Sequence, residues 1–207
     1  LPCMDDDDLR RGKPSCHKKF DEPVALLAGD TLLTMAFEVL ASNEYVSNRS
    51  IRLAVRELAK EAGGCGMAGG QTLDLANTVD SYRSLRQIHL QKTSALITAA
   101  CMLGYYAATD RPQCADTDNI RLYAEAIGLA FQIHDDILDV KSDTATLGKE
   151  VGSDEKNQKK TVLSFLSIPE AEEEEALLTL LAVEAVSVYN ESDTLCQLAI
   201  WLLSRRK

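Results

Sequence analysis

The order of apolar and polar residues predicts a chain built of helices. Apolar residues recur at steps of three and four from Val24 to Leu40, and Pro23 suits the first turn of that helix. The same spacing predicts further helices over residues 48–62, 81–108, 118–140, 154–166, 169–189 and 193–205. No segment shows the alternation of apolar and polar residues that marks a half-buried strand. The pattern therefore predicts one all-α domain over residues 1–207.

One segment departs from this pattern because glycine is frequent in it. Residues 64–75 contain Gly64, Gly66, Gly69 and Gly70, which are too many for an ordinary helix. We therefore predict close backbone packing or a kink there, with Gly69 and Gly70 as a device for helix packing. The glycine spacing does not indicate a phosphate-binding loop, because no strand precedes it.

Composition narrows the class of protein. The 207 residues are 45% hydrophobic and 26% charged, as in an ordinary globular domain, and the net charge of −10 argues against nucleic acid as a partner. No apolar stretch reaches the roughly 18 to 20 uncharged residues of a membrane span, so we expect no stable membrane insertion. The six cysteines form no C-x-x-C pair, which predicts buried thiols in a reducing compartment, here assigned as the cytoplasm.

The predicted helix over residues 118–140 carries the most informative chemistry. Asp135 and Asp139 are four residues apart and Asp136 and Asp139 three apart, so with Gln132 they share one stripe of a helix whose other faces are apolar. Moving such carboxylates from water into a cleft costs several kcal/mol for each ion unless something neutralises them. A divalent cation such as Mg²⁺ prefers these oxygen ligands. The stripe therefore predicts a metal site.

The first residues of the chain combine acids with guanidinium groups. The acidic run Asp5 to Asp8 is followed by Arg10 and Arg11, which would place metal and phosphate ligands within one or two helical turns of each other. An acidic run alone is most often a solvated surface. Together with the aspartate helix, it predicts a second half of a site for metal and phosphate.

Six motifs, in order along the whole chain, resemble those of the trans-prenyl diphosphate synthases, most closely the bacterial farnesyl diphosphate synthases. They are MDDDDLRRG at 4–12, LAGD at 27–30, GGQTLD at 69–74, KT at 92–93, GLAFQIHDDILD at 128–139 and DTATLGK at 143–149. The resemblance implies an all-α helical bundle of the isoprenoid synthase type, with the active cleft in the core of the bundle. It also implies a homodimer.

The resemblance implies a prenyltransferase that condenses isopentenyl diphosphate with dimethylallyl or geranyl diphosphate to give farnesyl diphosphate, assisted by Mg²⁺. It assigns the metal to Asp5, Asp135 and Asp139, with Asp136 beside them in the catalytic set. It assigns the allylic diphosphate to Arg10, Lys92, Thr93, Gln132 and Lys149, and isopentenyl diphosphate to Arg11. Lys92 and Lys149 are also expected to act in catalysis.

The sequence departs from the family at several positions. The family's first motif begins with an Asp-Asp pair four residues before the position of Asp5, and that pair and the N-terminal helices are absent here, so we expect the 207 residues alone to be inactive. His134 stands where Gln is frequent, and the motif around Lys159-Lys160-Thr161 is only partly kept. Two alternatives stay open, a geranylgeranyl diphosphate synthase and a non-catalytic synthase subunit.

Several polar residues are expected to have structural roles. Asp74 is predicted to be an internal hydrogen-bonding or salt-bridge partner. The three histidines, His17, His89 and His134, are predicted to be packing or surface residues.

Overall fold

The structure is a computed structural model that describes residues 1–109, 111–141 and 159–204. The helices in those residues are α1 (Cys16–Lys19), α2 (Glu22–Ala41), α3 (Asn48–Ala62), α4 (Met67–Ala76), α5 (Tyr82–His89), α6 (Ala95–Ala108), α7 (Cys114–Lys141), α8 (Ile168–Val186) and α9 (Asp193–Ser204). A π-helical turn, Leu90–Ser94, joins α5 to α6, and a 3₁₀ turn, Val162–Ser164, precedes α8. The all-α prediction is confirmed.

The N-terminal segment is not helical, contrary to the spacing argument made for its acids and arginines. Strand β1 (Leu9–Arg10) pairs with β2 (Lys13–Pro14) in a short antiparallel hairpin. Its turn places Arg11 at φ 53° and Gly12 at φ 72°. Two successive left-handed residues reverse the chain in a tight hairpin and cannot continue a helix.

The structure also corrects the prediction made for the glycine-rich segment. Residues 67–76 form α4, a regular helix that includes Gly69 and Gly70. Of the helix predicted over residues 154–166, only the part from 159 is described, and it contains the 3₁₀ turn instead. Helix propensity is a weak guide where tertiary packing fixes the backbone.

Polar caps explain where several helices begin. Asp21 Oδ1 accepts a hydrogen bond of 2.8 Å from Val24 N at the start of α2, one residue after Pro23. Before α8, the Glu170 carboxylate accepts a hydrogen bond of 2.8 Å from Ser167 N, as one half of a capping box. Such caps satisfy amides that have no partner inside the helix.

Helix α7 lies at the centre of the domain. It packs against α6, the π-helical turn and α8. The main core cluster joins α7 to α5, α8 and α9 and includes Leu85, Tyr123, Ala126, Ile127, Leu129, Ala130, Ile133, Ile137, Val162, Ala171, Leu178, Ala182, Ala185, Val186 and Ala199. The carboxylates of α7 therefore lie on the most enclosed helix of the described chain.

Helix α2 is the opposite case, because none of its residues is buried. Its exposed apolar side chains are Val24, Leu26, Leu27, Leu32, Leu33, Met35 and Val39. By length and composition alone it could cross a membrane, the one such helix in the described part of the chain. The expectation of no stable membrane insertion counted uncharged runs, and Asp30 and Glu38 interrupt this helix, so it stays a prediction.

The cysteines also differ from expectation. All six are free; Cys101 and Cys196 are partly buried, and the other four are exposed. The prediction of buried thiols is wrong. Cys16 and Cys114 are the first residues of α1 and α7, where a side chain has few neighbours to cover it.

Candidate functional site

The site forms around the π-helical turn, which is held between two glycines of neighbouring helices. A Cβ atom on Gly70 of α4 would lie 2.3 Å from Lys92 N, and one on Gly128 of α7 would lie 2.4 Å from Ser94 Oγ. Only glycine permits such close approach, so the predicted packing role is confirmed for Gly70. A π-helical turn inside a longer helix is frequently a functional feature. Here it carries Lys92 and Thr93.

On one side of the turn, two lysines and two carboxylates alternate. Lys92 Nζ lies 2.8 Å from Asp74 Oδ2, and Lys159 Nζ lies 3.5 Å from the same oxygen. Lys159 Nζ also lies 2.6 Å from Asp5 Oδ1. Burial alone would raise the pKa of Asp5, but the hydrogen bond and charge of Lys159 outweigh it, so the pKa is lowered. The prediction that Asp74 is a salt-bridge partner is confirmed.

On the other side, hydrogen bonds link the turn to α7. Thr93 Oγ1 donates to Gln132 Oε1 at 3.1 Å, and Gln132 Nε2 donates to Asp136 Oδ1 at 2.9 Å. The second oxygen of Asp136 accepts a hydrogen bond of 2.8 Å from Val162 N. Asp136 is buried, so it fixes both the orientation of Gln132 and the start of the 3₁₀ turn.

Between these two sides lies a polar cleft of about 50 Å³. It is lined by Asp74, His89, Lys92, Gln132, Asp136, Lys159, Lys160 and Thr161. Three ammonium groups around so small a space favour an anion with several oxygen atoms, such as a phosphate group. The geometry thus supports a site for phosphate oxygens on the π-helical turn.

His89 lies in the wall of this cleft and is almost fully buried. Burial is the main cause that lowers its pKa to about 4; the Asp74 carboxylate raises it and the Lys92 ammonium lowers it further. The imidazole is therefore neutral at physiological pH. The prediction of a packing residue is right about its burial but missed its place in the cleft.

The three predicted metal ligands lie on two parts of the chain, the N-terminal segment and α7. Asp139 is buried and Asp135 partly buried, both on α7, while Asp5 is exposed in the N-terminal segment. Across residues 1–109, 111–141 and 159–204, no group of three or more His, Cys, Asp or Glu side chains is arranged to hold a metal ion. Their carboxylate oxygens suit Mg²⁺ chemically, and Asp5 already attracts a cation, the ammonium of Lys159. Magnesium binding by these three residues stays a prediction.

Of the predicted basic ligands, Lys92 lines the cleft and the others are not seen in it. Arg10 and Arg11 are exposed on the hairpin, and neither guanidinium forms an ion pair or side-chain hydrogen bond with the residues that the structure describes. Lys149 lies outside the described residues, together with 143–148. Of the diphosphate ligands predicted from the resemblance, the structure therefore brings together Lys92, Thr93 and Gln132.

Sequence reasoning missed Lys159, Lys160 and Thr161 as lining residues of the cleft. Their partial motif was the available signal, but it gives no position relative to Lys92. His134, by contrast, lies 2.7 Å from Glu175 Oε1 through Nδ1, and both side chains are buried. That pair joins α7 to α8, so the packing role predicted for His134 is confirmed.

The structure is a helical domain with a small polar cleft, lined by three lysines, beside the aspartates of α7. The chain belongs to the polyprenyl synthetase family, whose model matches residues 3–195. It is 49% identical over 175 residues to farnesyl diphosphate synthase of Escherichia coli strain K12, a match that covers 83% of this chain and 58% of the relative. It is 47% identical over 161 residues to geranylgeranyl pyrophosphate synthase 11, chloroplastic, of Arabidopsis thaliana, covering 74% and 44%.

Solved structures agree with these sequence matches. The geranyltransferase of Helicobacter pylori complexed with magnesium and isoprenyl diphosphate superimposes with a TM-score of 0.83 at 30% identity, covering 99% of this chain and 67% of that one. The isoprenoid synthase fold is therefore confirmed. The chain spans less than two thirds of the length of either curated relative above.

Proposed function

We propose that the protein is a prenyltransferase that condenses isopentenyl diphosphate with dimethylallyl or geranyl diphosphate to give farnesyl diphosphate. The observation that carries the proposal is the cleft in which Lys92, Lys159 and Lys160 face Gln132 and Asp136 of α7. Membership of the polyprenyl synthetase family and the identity to the Escherichia coli farnesyl diphosphate synthase support the same reaction.

The chemical difficulty of this reaction is the leaving group. Cleavage of the allylic C–O bond places several negative charges on the departing diphosphate, and the double bond of isopentenyl diphosphate then attacks the allylic cation. Ammonium groups that are already in position stabilise that charge without reorganisation. When bound, Mg²⁺ on Asp5, Asp135 and Asp139 would supply further Lewis-acid stabilisation of the leaving diphosphate.

Individual roles follow from the contacts around the π-helical turn. Lys92 is proposed to bind the allylic diphosphate, with Thr93 and Gln132 beside it and with Arg10 and Lys149 as further ligands. Asp136 uses both oxygens on protein donors, which supports a role in positioning Gln132. Arg11 is proposed to bind isopentenyl diphosphate. The proton lost after condensation has the released diphosphate itself as an acceptor.

For the length of the product there is a specific alternative, geranylgeranyl diphosphate. The Arabidopsis relative named as a geranylgeranyl synthase is nearly as similar as the Escherichia coli relative. We propose the farnesyl product, and the product itself decides between the two lengths. A third outcome, no condensation by the protein alone, corresponds to a non-catalytic subunit.

We propose a homodimer in which a second copy covers α2. Seven large apolar side chains are exposed around that helix, which is unusual for a helix that contacts only water. The six free thiols support a reducing compartment, and we place the protein in the cytoplasm. Sedimentation tests the dimer. We expect the wild type to sediment as a dimer and L27E, which puts a charge on α2, to sediment as a monomer; a dimer in both would show that α2 is not the interface.

The reaction is tested with the protein expressed from its complete gene. Labelled isopentenyl diphosphate is supplied with dimethylallyl or geranyl diphosphate and Mg²⁺, and the products are dephosphorylated and separated by chain length. We expect farnesol, and no product in the presence of EDTA. Turnover that EDTA leaves unchanged would refute the metal role, and a twenty-carbon alcohol would establish the geranylgeranyl alternative.

A further inference from the structure

His89 is a buried polar residue of the cleft to which no role has yet been assigned. It is only 8% exposed, and it lines the cleft. Within the part of the chain that the structure describes, its imidazole forms no hydrogen bond or ion pair. A buried ring with one donor and one acceptor nitrogen is seldom left without a partner. A ligand in the cleft is the partner that this position allows.

The position of His89 on its helix places it beside Lys92. His89 is the last residue of α5, and Lys92 follows three residues later in the π-helical turn that continues this helix. Residues three apart lie on the same face of a helix, and both side chains line the cleft. A phosphate group bound by the Lys92 ammonium therefore lies next to the imidazole.

The charged groups around His89 do not fully balance a diphosphate. Helix α5 packs against α4, the π-helical turn and α7. The charged residues that line the cleft with His89 are Asp74 of α4, Asp136 of α7, Lys92 of the turn, and Lys159 and Lys160 before the 3₁₀ turn. Three ammonium groups and two carboxylates leave a surplus of one positive charge, whereas a diphosphate carries several negative charges. A further positive charge beside the anion is therefore favourable.

Burial keeps the imidazole neutral as long as no anion is bound, since it lowers the pKa of His89 to about 4. An anion next to the ring acts in the opposite direction, because opposite charges a few ångströms apart attract strongly in a partly buried cleft. The pKa of His89 therefore rises when the anion binds. Histidine is the side chain in which such a change falls within the physiological pH range.

We propose that His89 is a further diphosphate-binding residue: its ring takes up one proton from the solvent when the anion binds and donates a hydrogen bond to one of the anion's oxygens. The proposal rests on the proposed function, since it needs a diphosphate in this cleft. It distinguishes His89 from the lysines, which are charged before the anion arrives. The affinity that the proton adds is present below the pKa of His89 in the complex and is lost as the pH rises through that pKa.

The test uses inorganic diphosphate in EDTA and the protein expressed from its complete gene. Isothermal titration calorimetry in two buffers of different ionisation enthalpy measures both the affinity and the number of protons taken up on binding. The wild type is compared with H89Q and H89N, whose amides are polar but cannot be protonated. The matched control is H17Q, at a histidine of α1 that is not among the residues lining the cleft. Melting curves establish which variants are folded, and two replacements keep the test from depending on one of them.

At pH 6 we expect the wild type and H17Q to take up roughly 0.5–1 proton more than H89Q or H89N, and to bind diphosphate roughly three- to tenfold more tightly. At pH 8 the affinities should agree within roughly twofold, because the imidazole stays neutral there. Equal proton uptake in the wild type and the His89 variants, or a ratio of affinities that does not change with pH, would overturn the role of His89. A wild type that binds no diphosphate would instead overturn the proposed function, and this role with it.

Discussion

Lys92 Nζ and Asp74 Oδ2 lie 2.8 Å apart across the contact between the π-helical turn and α4. The contact is possible because Gly70 brings the α4 backbone against Lys92 N, and Asp74 follows Gly70 by one helical turn on the same helix. A glycine thus sets the distance, and a carboxylate then fixes the direction of the ammonium. The position of Lys92 in the cleft depends on both residues.

Replacement of Asp74 tests whether it positions the lysines. In D74N we expect kcat to fall roughly 10- to 100-fold, because the amide cannot hold two ammonium groups in place. KM for the allylic diphosphate should stay the same or decrease, because a negative charge near the diphosphate is removed. The matched control is D80N, at an exposed aspartate that accepts hydrogen bonds from Ser81 and Ser84. A higher KM with an unchanged kcat would show that Asp74 contributes only to binding.

Gly70 gives a test of packing. G70A places a Cβ atom 2.3 Å from Lys92 N and 2.7 Å from Gln91 C, which are backbone atoms that cannot rotate away. We expect the free energy of unfolding to fall by about 1–3 kcal/mol or more, measured by urea denaturation. G104A, in an exposed part of α6 with nothing within 4 Å, should instead gain about 0.5–1 kcal/mol. Equal effects at the two glycines would contradict the packing assigned to the π-helical turn.

His89 predicts a pH dependence of stability. Its pKa is about 4 in the folded protein and 6.5 when unperturbed, so below pH 6.5 the unfolded state binds a proton that the folded state does not. The stabilisation is complete above pH 6.5 and is lost as the pH falls towards 4, on the order of 3 kcal/mol in total. The difference in unfolding free energy between the wild type and H89Q should therefore shrink over that range. A difference that is constant with pH would place His89 in a more hydrated site.

Replacement of Asp135 tests whether this carboxylate is a metal ligand or has a structural role. We expect D135N to lower kcat by about 10²-fold or more, because a ligand for the charged transition state is lost. Its melting temperature should stay close to that of the control D118N, at an exposed position of the same helix. If D135N melts much earlier while its activity per folded molecule stays near normal, the residue is structural.

The helices were predictable where local signals and burial agree. Helix α7 carries a continuous apolar face around its aspartates, and α8 has a serine cap and a proline in its first turn. Helix α4 was missed because glycine disfavours helix locally, while the reason for Gly70 is a contact with Lys92 of the π-helical turn. The order of apolar and polar residues around Gly70 does not indicate a contact with a residue so far along the chain.

The site was predictable only in part for the same reason. Lys92, Thr93 and Gln132 were found through family motifs, and the structure joins them as expected. Lys159 meets Asp5 and Asp74 only because the chain folds back over more than 80 residues, and nothing in its local sequence indicates that ion pair. The prediction for Arg10 and Arg11 was wrong about their geometry, because it assumed the spacing of a helix in a segment that forms a hairpin.

A crystal structure of the protein from its complete gene, with Mg²⁺ and the thiolodiphosphate analogue of dimethylallyl diphosphate, tests the proposed diphosphate and metal sites most directly. We expect the diphosphate within hydrogen-bonding distance of Lys92 and Mg²⁺ bound by Asp135 or Asp139. A diphosphate bound away from Lys92, with no metal on the α7 carboxylates, would contradict the proposed site.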